Sequence, residues 1–367
     1  MVLKIGIITF HKALSYGSEY QSFALQQYLT KLGHTVEIID YVPPRFKFSS
    51  LVFKRPKNRP LKEQIIKYIP FTTCKFTEYV TTQLFVKKHL TLSENCYTYL
   101  KDFQDKPLDY DVYVTGSDQV WNFNFDTLDI VKPYMLSFAK NPAKKISYAA
   151  SIGMDSYDAL EPELKKAANE LLSDYSAISV RENRAVEILD SIGVKSQWVL
   201  DPTFLLRGDD WKSLAKKKTN KGKYIFVYGL YRNKKIYKFA NKIAKENNLK
   251  VINLANCYDF NLKAKNKIFV SCEKLLSYLR DAECVVTDSF HGTALSINMN
   301  KPLYVFPALR YNSRLASLIE LLGLQDRYVT DENYDNKKIE MDYSSVNAIL
   351  DEERKKSYDF LDKAING

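Results

Sequence analysis

Cys284-Val-Val-Thr-Asp-Ser-Phe-His-Gly-Thr-Ala-Leu295 changes character twice within one short stretch. Cys284 to Thr287 is an unbroken apolar run of the kind that forms a strand buried on both faces. Thr293 to Asn298 reads as the start of a helix. Asp288, Ser289 and Gly292 lie between them, residue types that end strands and cap helices. The turn therefore falls at the carboxyl end of a strand, where open α/β sheets hold their ligands. Helix-opening N–H groups at such a turn favour an anion. His291 sits in it, one of only four histidines in the chain. Two readings of it stand on equal terms: an acid or base, or a histidine that packs and hydrogen-bonds.

The same strand-then-helix grammar extends outward. Lys4 to Phe10 reads as a strand, Ser18 to Lys31 as a helix ended by Gly33, and Thr35 to Asp40 as a strand. After Pro43-Pro44 the alternation lapses, and Lys75 to His89 resumes as helix. Strands are predicted at Asp111–Thr115, Ile146–Ala150 and Ala177–Val180, ending in Gly116-Ser-Asp-Gln119, Ser151-Ile-Gly153 and Arg181-Glu-Asn183. A break at Gln197 to Thr203 precedes a second series. Its strands are Lys223–Tyr228, Lys250–Leu254, Cys284–Thr287 and Leu303–Phe306. Its helices are Asn233–Glu246, Glu273–Arg280, the one after His291, and Ser313–Leu322. Tyr343 to Ile365 is a polar amphipathic helix. Such alternation predicts an α/β protein with mostly parallel sheets. Two series imply two Rossmann-like domains facing a cleft, residues 1–202 with a basic insertion at 43–75, and 203–342.

At 367 residues, 46% apolar and 13% aromatic, the chain can bury two ordinary cores. No apolar run approaches the ~20 residues of a membrane span. The N-terminal apolar segment is too short for a signal peptide, so the expected compartment is the cytoplasm. Cys74, Cys96, Cys257, Cys272 and Cys284 are odd in number, scattered and never spaced as a metal pair, and predict neither a disulfide framework nor a metal site. The net charge of +11 is concentrated: Arg45 to Lys75 alone carries +8. Phe46, Phe48, Phe53, Tyr68 and Phe71 interleave with those charges. The mixture suits an anionic membrane surface, such as the inner face of the plasma membrane, or a pyrophosphate-linked ligand. A solvated insertion with a covered apolar side is an equal alternative. No nucleic-acid-binding signature accompanies the charges. Dehydrogenase and P-loop classes are excluded, since neither Gly-x-Gly-x-x-Gly nor Gly-x-x-x-x-Gly-Lys occurs.

Several stretches together resemble the polysaccharide pyruvyl transferase family. They are Ile5-Gly-Ile-Ile-Thr-Phe-His11 with Tyr16-Gly17 and Gln21-Ser-Phe-Ala-Leu25, Tyr113-Val-Thr-Gly-Ser-Asp-Gln-Val-Trp-Asn122, and Tyr148-Ala-Ala-Ser-Ile-Gly153. Ser179-Val-Arg-Glu182, Leu200-Asp-Pro-Thr-Phe-Leu205 and Val286-Thr-Asp-Ser-Phe-His-Gly292 complete the set. The resemblance implies a GT-B-like architecture, with the acceptor on the first domain, the donor on the second, and residues 343–367 returning to brace the first. It implies transfer of the pyruvyl group of phosphoenolpyruvate onto two hydroxyls of a sugar, leaving a cyclic ketal and phosphate. The sugar would belong to a capsule or exopolysaccharide, or to its lipid-linked precursor. By this resemblance His291 and Arg181 serve the donor, together with a basic residue further on, Arg310 or Arg314. An asparagine commonly precedes the Tyr-Gly pair in the family; here Ser15 stands there and Ser18-Glu19 follow, which implies a different acceptor.

That chemistry needs fixed positive groups for two anions, an acid for the enol carbon, and a base for each hydroxyl. His291 is the candidate acid, and Arg181, Arg310 and Arg314 suit the anions. Ser289, Gly292, Thr293, Asn312 and Ser313 complete the candidate donor site. Tyr16, Gly17, Ser18, Glu19, Gly116, Ser117, Asp118 and Gln119 form the candidate acceptor side, with Glu19 and Asp118 as possible bases. Asp118 reads first as a turn carboxylate, Asp201 as a hinge-region turn residue and Trp121 as a packed side chain, whereas for Arg181-Glu182 a surface ion pair is the lesser alternative. Neither a metal nor a cofactor is expected. The competing class is a GT-B glycosyltransferase using a nucleotide sugar.

Overall fold

The computed structural model describes every residue except 54–60, 125–126, 141, 155, 157–161, 219–221, 231–232, 255–266, 269, 309–312 and 331–337, with the backbone alone at 61–70 and 267–268. The chain forms two compact units. Met1–Phe46, Val86–Leu205 and Leu350–Gly367 make the first, and Lys47–Phe85 with Leu206–Ile349 the second. The sequence reading assigned the basic insertion to the first unit; Lys47–Phe85 instead groups with the second.

The first unit contains β1 (Lys4–Ile8), β2 (Thr35–Tyr41), β3 (Leu92–Tyr97), β4 (Val112–Thr115), β5 (Lys144–Ala150), β6 (Ala177–Val180) and β7 (Gln197–Trp198). They lie in the order β3-β2-β1-β4-β5-β6-β7, all pairs parallel. Side-chain alternation distributes β1 between two cores. Ile5 and Ile7 join Val112, Val114 and Ile146 on one face, beneath Leu25 and Leu29 of the helix Tyr16–Lys31. Phe360, Leu361, Ala364 and Ile365 of the final helix, Ser344–Asn366, fill the same core. Ile8 points to the other face, with Ile178, Val180 and the helices Pro162–Leu172 and Asn183–Ser191. Gly6 shares that face, where a Cβ would stand 2.6 Å from the Tyr110 ring. Burying ladders on both faces is what made these strands readable as apolar runs.

The second unit contains β8 (Tyr224–Tyr228), β9 (Lys250–Leu254), β10 (Lys267–Ile268), β11 (Cys284–Thr287) and β12 (Leu303–Val305), ordered β10-β9-β8-β11-β12 and again wholly parallel. Ile236, Phe239, Ala240 and Ile243 of the helix Lys234–Glu246 pack against Ile225, Val227, Cys284 and Val286. On the opposite face Phe226 stacks on Tyr278 of the helix Cys272–Asp281, their ring centroids 5.7 Å apart. Cys96, Cys272 and Cys284 are free thiols. Cys74 is disulfide-bonded, a bridge that the scattered spacing did not reveal, since spacing along a chain says nothing of cysteines that tertiary structure brings together.

Candidate functional site

In both sheets the strand order reverses beside the first strand laid down. In the first unit the chain runs outward from β1 through β2 and β3, then returns to the other side of β1 with β4. The loops leaving β1 and β4 must diverge there, opening a crevice at the carboxyl ends of the strands. Candidate residues Tyr16 to Glu19 and Gly116 to Gln119 all follow those two strands.

The helix expected from Ser18 begins at Tyr16, so Gly17, Ser18 and Glu19 form its first turn rather than a preceding loop. Ser15 has the extended backbone of an N-cap and accepts from the Ser18 amide through its carbonyl at 3.0 Å. Gln21 fastens this helix to both loops. Its Nε2 donates to Thr9 Oγ1 at 2.9 Å, and its Oε1 accepts from the Ser117 amide at 3.1 Å. Gly116 has φ +108°, and a Cβ there would stand 2.3 Å from the Tyr148 carbonyl oxygen, so only glycine lets β4 leave the sheet here. Asp118 follows with φ +70°. Its Oδ2 accepts from Ser18 Oγ at 2.9 Å and its Oδ1 from the Gln119 amide at 2.8 Å. Gln119 itself is buried and accepts from Asn122 Nδ2 at 3.1 Å.

Arg181 follows β6 and is also buried. Its Nη1 lies 2.8 Å from Asp201 Oδ2, and its Nη2 lies 3.6 Å from Asp118 Oδ1. Burial lowers the Arg181 pKa, but Asp201, Asp118 and Glu182 together raise it further, so the guanidinium stays charged. Asp201 Oδ1 also accepts from the Thr203 amide at 2.9 Å and from Thr203 Oγ1 at 2.8 Å. The surface ion pair read from Arg181-Glu182 is therefore corrected. Both side chains are buried, and Glu182 Oε1 instead accepts from Ser151 Oγ and the amides of Ile152 and Gly153. Trp121 is fully buried and donates to the Tyr134 carbonyl, a packed side chain.

Glu19 is fully buried, and among the described residues neither carboxyl oxygen has a hydrogen-bond partner. Burial pushes its pKa well above the usual carboxylate range; its own backbone amide pulls it down and the Asp118 charge pushes it up again. One cluster escaped the sequence reading. Asp40 Oδ1 lies 2.9 Å from His11 Nε2 and 2.6 Å from Lys12 Nζ. Burial would raise the Asp40 carboxyl, but His11 and Lys12 hold it at about 2. The signal was available, since His11 and Lys12 lie in the loop that leaves β1.

In the second unit the order reverses between β8 and β11, and His291 follows β11. The helix begins at Phe290, earlier than the sequence suggested, so His291 belongs to its first turn and not to the loop. The reason is local: Ser289 caps the helix, its Oγ accepting from the Gly292 amide at 3.2 Å. Gly292 is inside the helix because a Cβ would stand 2.6 Å from Thr287 Oγ1 and 2.9 Å from the Tyr228 ring. Its absence seats the helix against the ends of β8 and β11. Thr293 Oγ1 donates to the Ser289 carbonyl at 3.0 Å, and Asp288 Oδ1 accepts from the Leu230 amide at 2.6 Å, tying the two strand-end loops together. His291 is 9% exposed, with its ring edge-on to Phe290. Ser313 and Arg314 open the helix Ser313–Leu321, both half-buried. Arg310 and Asn312 lie outside the described residues.

A cavity of about 370 Å³ lined by Leu3, Tyr110, Asp111 and Ala143 opens at the amino ends of β1, β4 and β5, the edge opposite these residues. Among the described residues no group of three or more His, Cys, Asp or Glu side chains is placed to hold a metal ion.

Several solved structures are similar to the chain at low identity. The S. aureus MnaA–UDP co-structure has 14% identity, covering 99% of this chain and 91% of that one, with a TM-score of 0.49. A putative UDP-N-acetylglucosamine 2-epimerase from Listeria monocytogenes has 10% identity, 95% coverage of each chain and a TM-score of 0.47. The glycosyltransferase SnogD from Streptomyces nogalater has 10% identity, covers 98% of this chain and 96% of that one, and has a TM-score of 0.43. No curated protein sequence matches the chain. Residues 16–307, which hold Tyr16 to Glu19, Gly116 to Gln119, Arg181 and the His291 turn, match the family described as polysaccharide pyruvyl transferase, and the chain belongs to that family.

Proposed function

We propose that the enzyme transfers the pyruvyl group of phosphoenolpyruvate to two hydroxyls of a sugar in a cell-surface polysaccharide, capsule or exopolysaccharide, or in its lipid-linked precursor. What carries the reading is His291 in the first turn of a helix that opens at the order reversal of the second sheet. That helix end favours the donor's phosphate or carboxylate, with Ser289, Gly292 and Thr293 shaping the turn and Arg310 or Arg314 adding charge. His291 protonates the enol carbon as the first hydroxyl oxygen bonds to the neighbouring carbon. The carbon–oxygen bond to phosphate then breaks, phosphate leaves with the electron pair, and the second hydroxyl closes the ketal. Of the two hydroxyl protons, one ends in the new methyl group and one on phosphate. No cofactor enters this reaction.

The test is ligand-dependent melting followed by mass spectrometry. Phosphoenolpyruvate at 100 times its Kd should stabilise the fold by about 2.7 kcal/mol, whereas nucleotide sugars should not. Incubation with candidate lipid-linked or nitrophenyl glycosides should add the mass of one pyruvyl ketal. Protection by a nucleotide sugar alone would overturn the reading in favour of glycosyl transfer.

The basic segment bears on the lipid-linked acceptor. Among the described residues no helix is long and apolar enough to cross a membrane. Phe76, Val80 and Leu84, spaced along one face of the helix Leu61–His89, are nonetheless exposed, as are Phe48 and Phe53. Apolar side chains exposed within and just beyond the Arg45–Lys75 segment of net charge +8 support peripheral contact with an anionic cytoplasmic leaflet. Binding to anionic vesicles should weaken steeply with salt, because attraction at a surface is screened within ~10 Å at 0.1 M. Replacing Lys54, Arg55, Lys57 and Arg59 with glutamine should lower activity on a lipid-linked acceptor more than on a soluble one. Equal loss on both would count against membrane contact.

A further inference from the structure

The cavity at the amino ends of β1, β4 and β5 has no part in the chemistry proposed above. Its volume of about 370 Å³ is that of a small-molecule site, and every residue lining it belongs to the first unit. One wall is aromatic and already ordered. Phe103 stacks on Phe138 with ring centroids 4.0 Å apart, Tyr113 meets Phe138 edge-on at 5.7 Å, and Tyr110 meets Tyr113 edge-on at 5.4 Å. The Tyr110 hydroxyl donates to Glu37 Oε2 at 2.6 Å, and the Tyr113 hydroxyl to the Leu108 carbonyl at 2.9 Å. With their hydroxyls so engaged, these rings offer the cavity carbon.

The mouth is polar. Asp109, Asp111 and Lys140 are exposed there, and Lys4 Nζ stands 4.9 Å from the centroid of the Tyr110 ring. The Lys4 amide donates to Asp111 Oδ2 at 2.8 Å, which fixes that carboxylate. Charges of both signs at one opening select neither an anion nor a cation. Carboxylates only accept hydrogen bonds and ammoniums only donate them, whereas a hydroxyl does both. An apolar wall beneath such a rim matches a neutral sugar ring, with C–H groups on its faces and hydroxyls around its edge. Resting on the acceptor of the proposed reaction but not on its donor, we propose that this cavity holds a neutral sugar unit of the polysaccharide, remote from the unit that is modified. The acceptor is then a chain gripped at both ends of the same strands. Five residues of β1 at ~3.3 Å each set the two places roughly 17 Å or more apart, too far for one sugar to bridge. A chain that does bridge them makes its second contact within one complex and gains affinity without any change at the reacting group. The ordered wall keeps the entropic cost of that contact low.

The experiment is calorimetry without donor, titrating the protein with fragments of increasing length cut from the producing cell's own surface polysaccharide. Fragments long enough to span the sheet should bind about tenfold or more tighter than short ones. Two variants remove the cavity's contribution. Ala143→Trp fills it from its half-buried lining, and the double variant Asp109→Ala with Lys140→Ala strips its rim. Each should bring long fragments back to the affinity of short ones, with short-fragment binding and kcat on a short soluble acceptor unchanged. Asp109 and Lys140 are exposed, so the double variant keeps the test open where the tryptophan disturbs the fold. Long fragments that fail to bind, that bind no tighter than short ones, or that bind the folded variants as tightly as wild type would overturn the proposal. Turnover of a short acceptor with phosphoenolpyruvate beside any of those results leaves the pyruvyl-transfer reading standing. Length-dependent binding that the variants abolish, in a protein that never consumes phosphoenolpyruvate, defeats the donor assignment and upholds the second sugar site.

Discussion

Turnover in His291→Ala should fall by about 10²–10⁴-fold, the usual share of a general acid, with the fold retained. The side chain lies in the first turn of Phe290–Asn298, where the capping is done by Ser289 and the close approach to β8 and β11 by Gly292. Alanine leaves both intact and suits a helix interior better than histidine does. The ring's edge-on contact with Phe290 is lost, which costs about 1–2 kcal/mol at most. Phosphate release at saturating donor and acceptor measures the first effect, and thermal melting the second. Near-normal turnover would remove His291 from the chemistry; loss of activity together with loss of cooperative melting would make it a packing residue.

Asp201→Ala is expected to do the opposite kind of damage. Its carboxylate is fully buried and holds Arg181, the Thr203 amide and the Thr203 hydroxyl. Removing one partner of a buried ion pair leaves the other charge without its compensation, at a cost of about 3–5 kcal/mol. Asp118 offsets part of this, at the longer distance of 3.6 Å. Asp201→Asn should be milder, since an amide oxygen still accepts from Thr203. Urea unfolding followed by tryptophan fluorescence can test it, because Trp121 and Trp198 both belong to the first unit. An unchanged midpoint in Asp201→Ala would show that the pair contributes nothing to the fold.

The strands that could be read directly were those buried on both faces. Ala177–Val180, Lys250–Leu254 and Cys284–Thr287 have the boundaries that their apolar runs suggested. Leu92-Ser-Glu-Asn-Cys-Tyr97 escaped because it is an edge strand with polar residues on its exposed positions. Gln197–Trp198 is too short to have a period. The helix Pro162–Leu172 buries only Ala168 and Leu172, and a stripe that narrow is submerged among charged residues. At the candidate site, what was legible was position. His291, Arg181 and Asp118 each follow a strand, and strand ends can be found from pattern alone. Partnership was not legible. Arg181 meets Asp201 across 20 residues of chain and Ser18 meets Asp118 across 100, contacts fixed by sheet order rather than by local sequence. Asp201 does cap the turn Pro202–Phe204, as read, but its pairing with Arg181 was hidden for the same reason, as were the contacts of Gln21 with the β1 and β4 loops.

The last helix has a consequence for how the chain is made. Phe360, Leu361, Ala364 and Ile365 close the core over Ile5, Ile7, Val112 and Val114. Ser357 Oγ accepts from the Leu200 amide, and Arg354 Nε donates to the Phe204 carbonyl. The first unit thus begins at residue 1 and is finished by residues 350–367. During synthesis that face of its seven-stranded sheet stays only partly covered, by Leu25 and Leu29, until residues 350–367 have been made. The second unit, encoded between, needs none of those last residues for its own core. Translation order and folding order therefore diverge. A message that stops short of codon 350 yields a protein whose exposed sheet is a target for chaperones and proteases rather than a shortened enzyme.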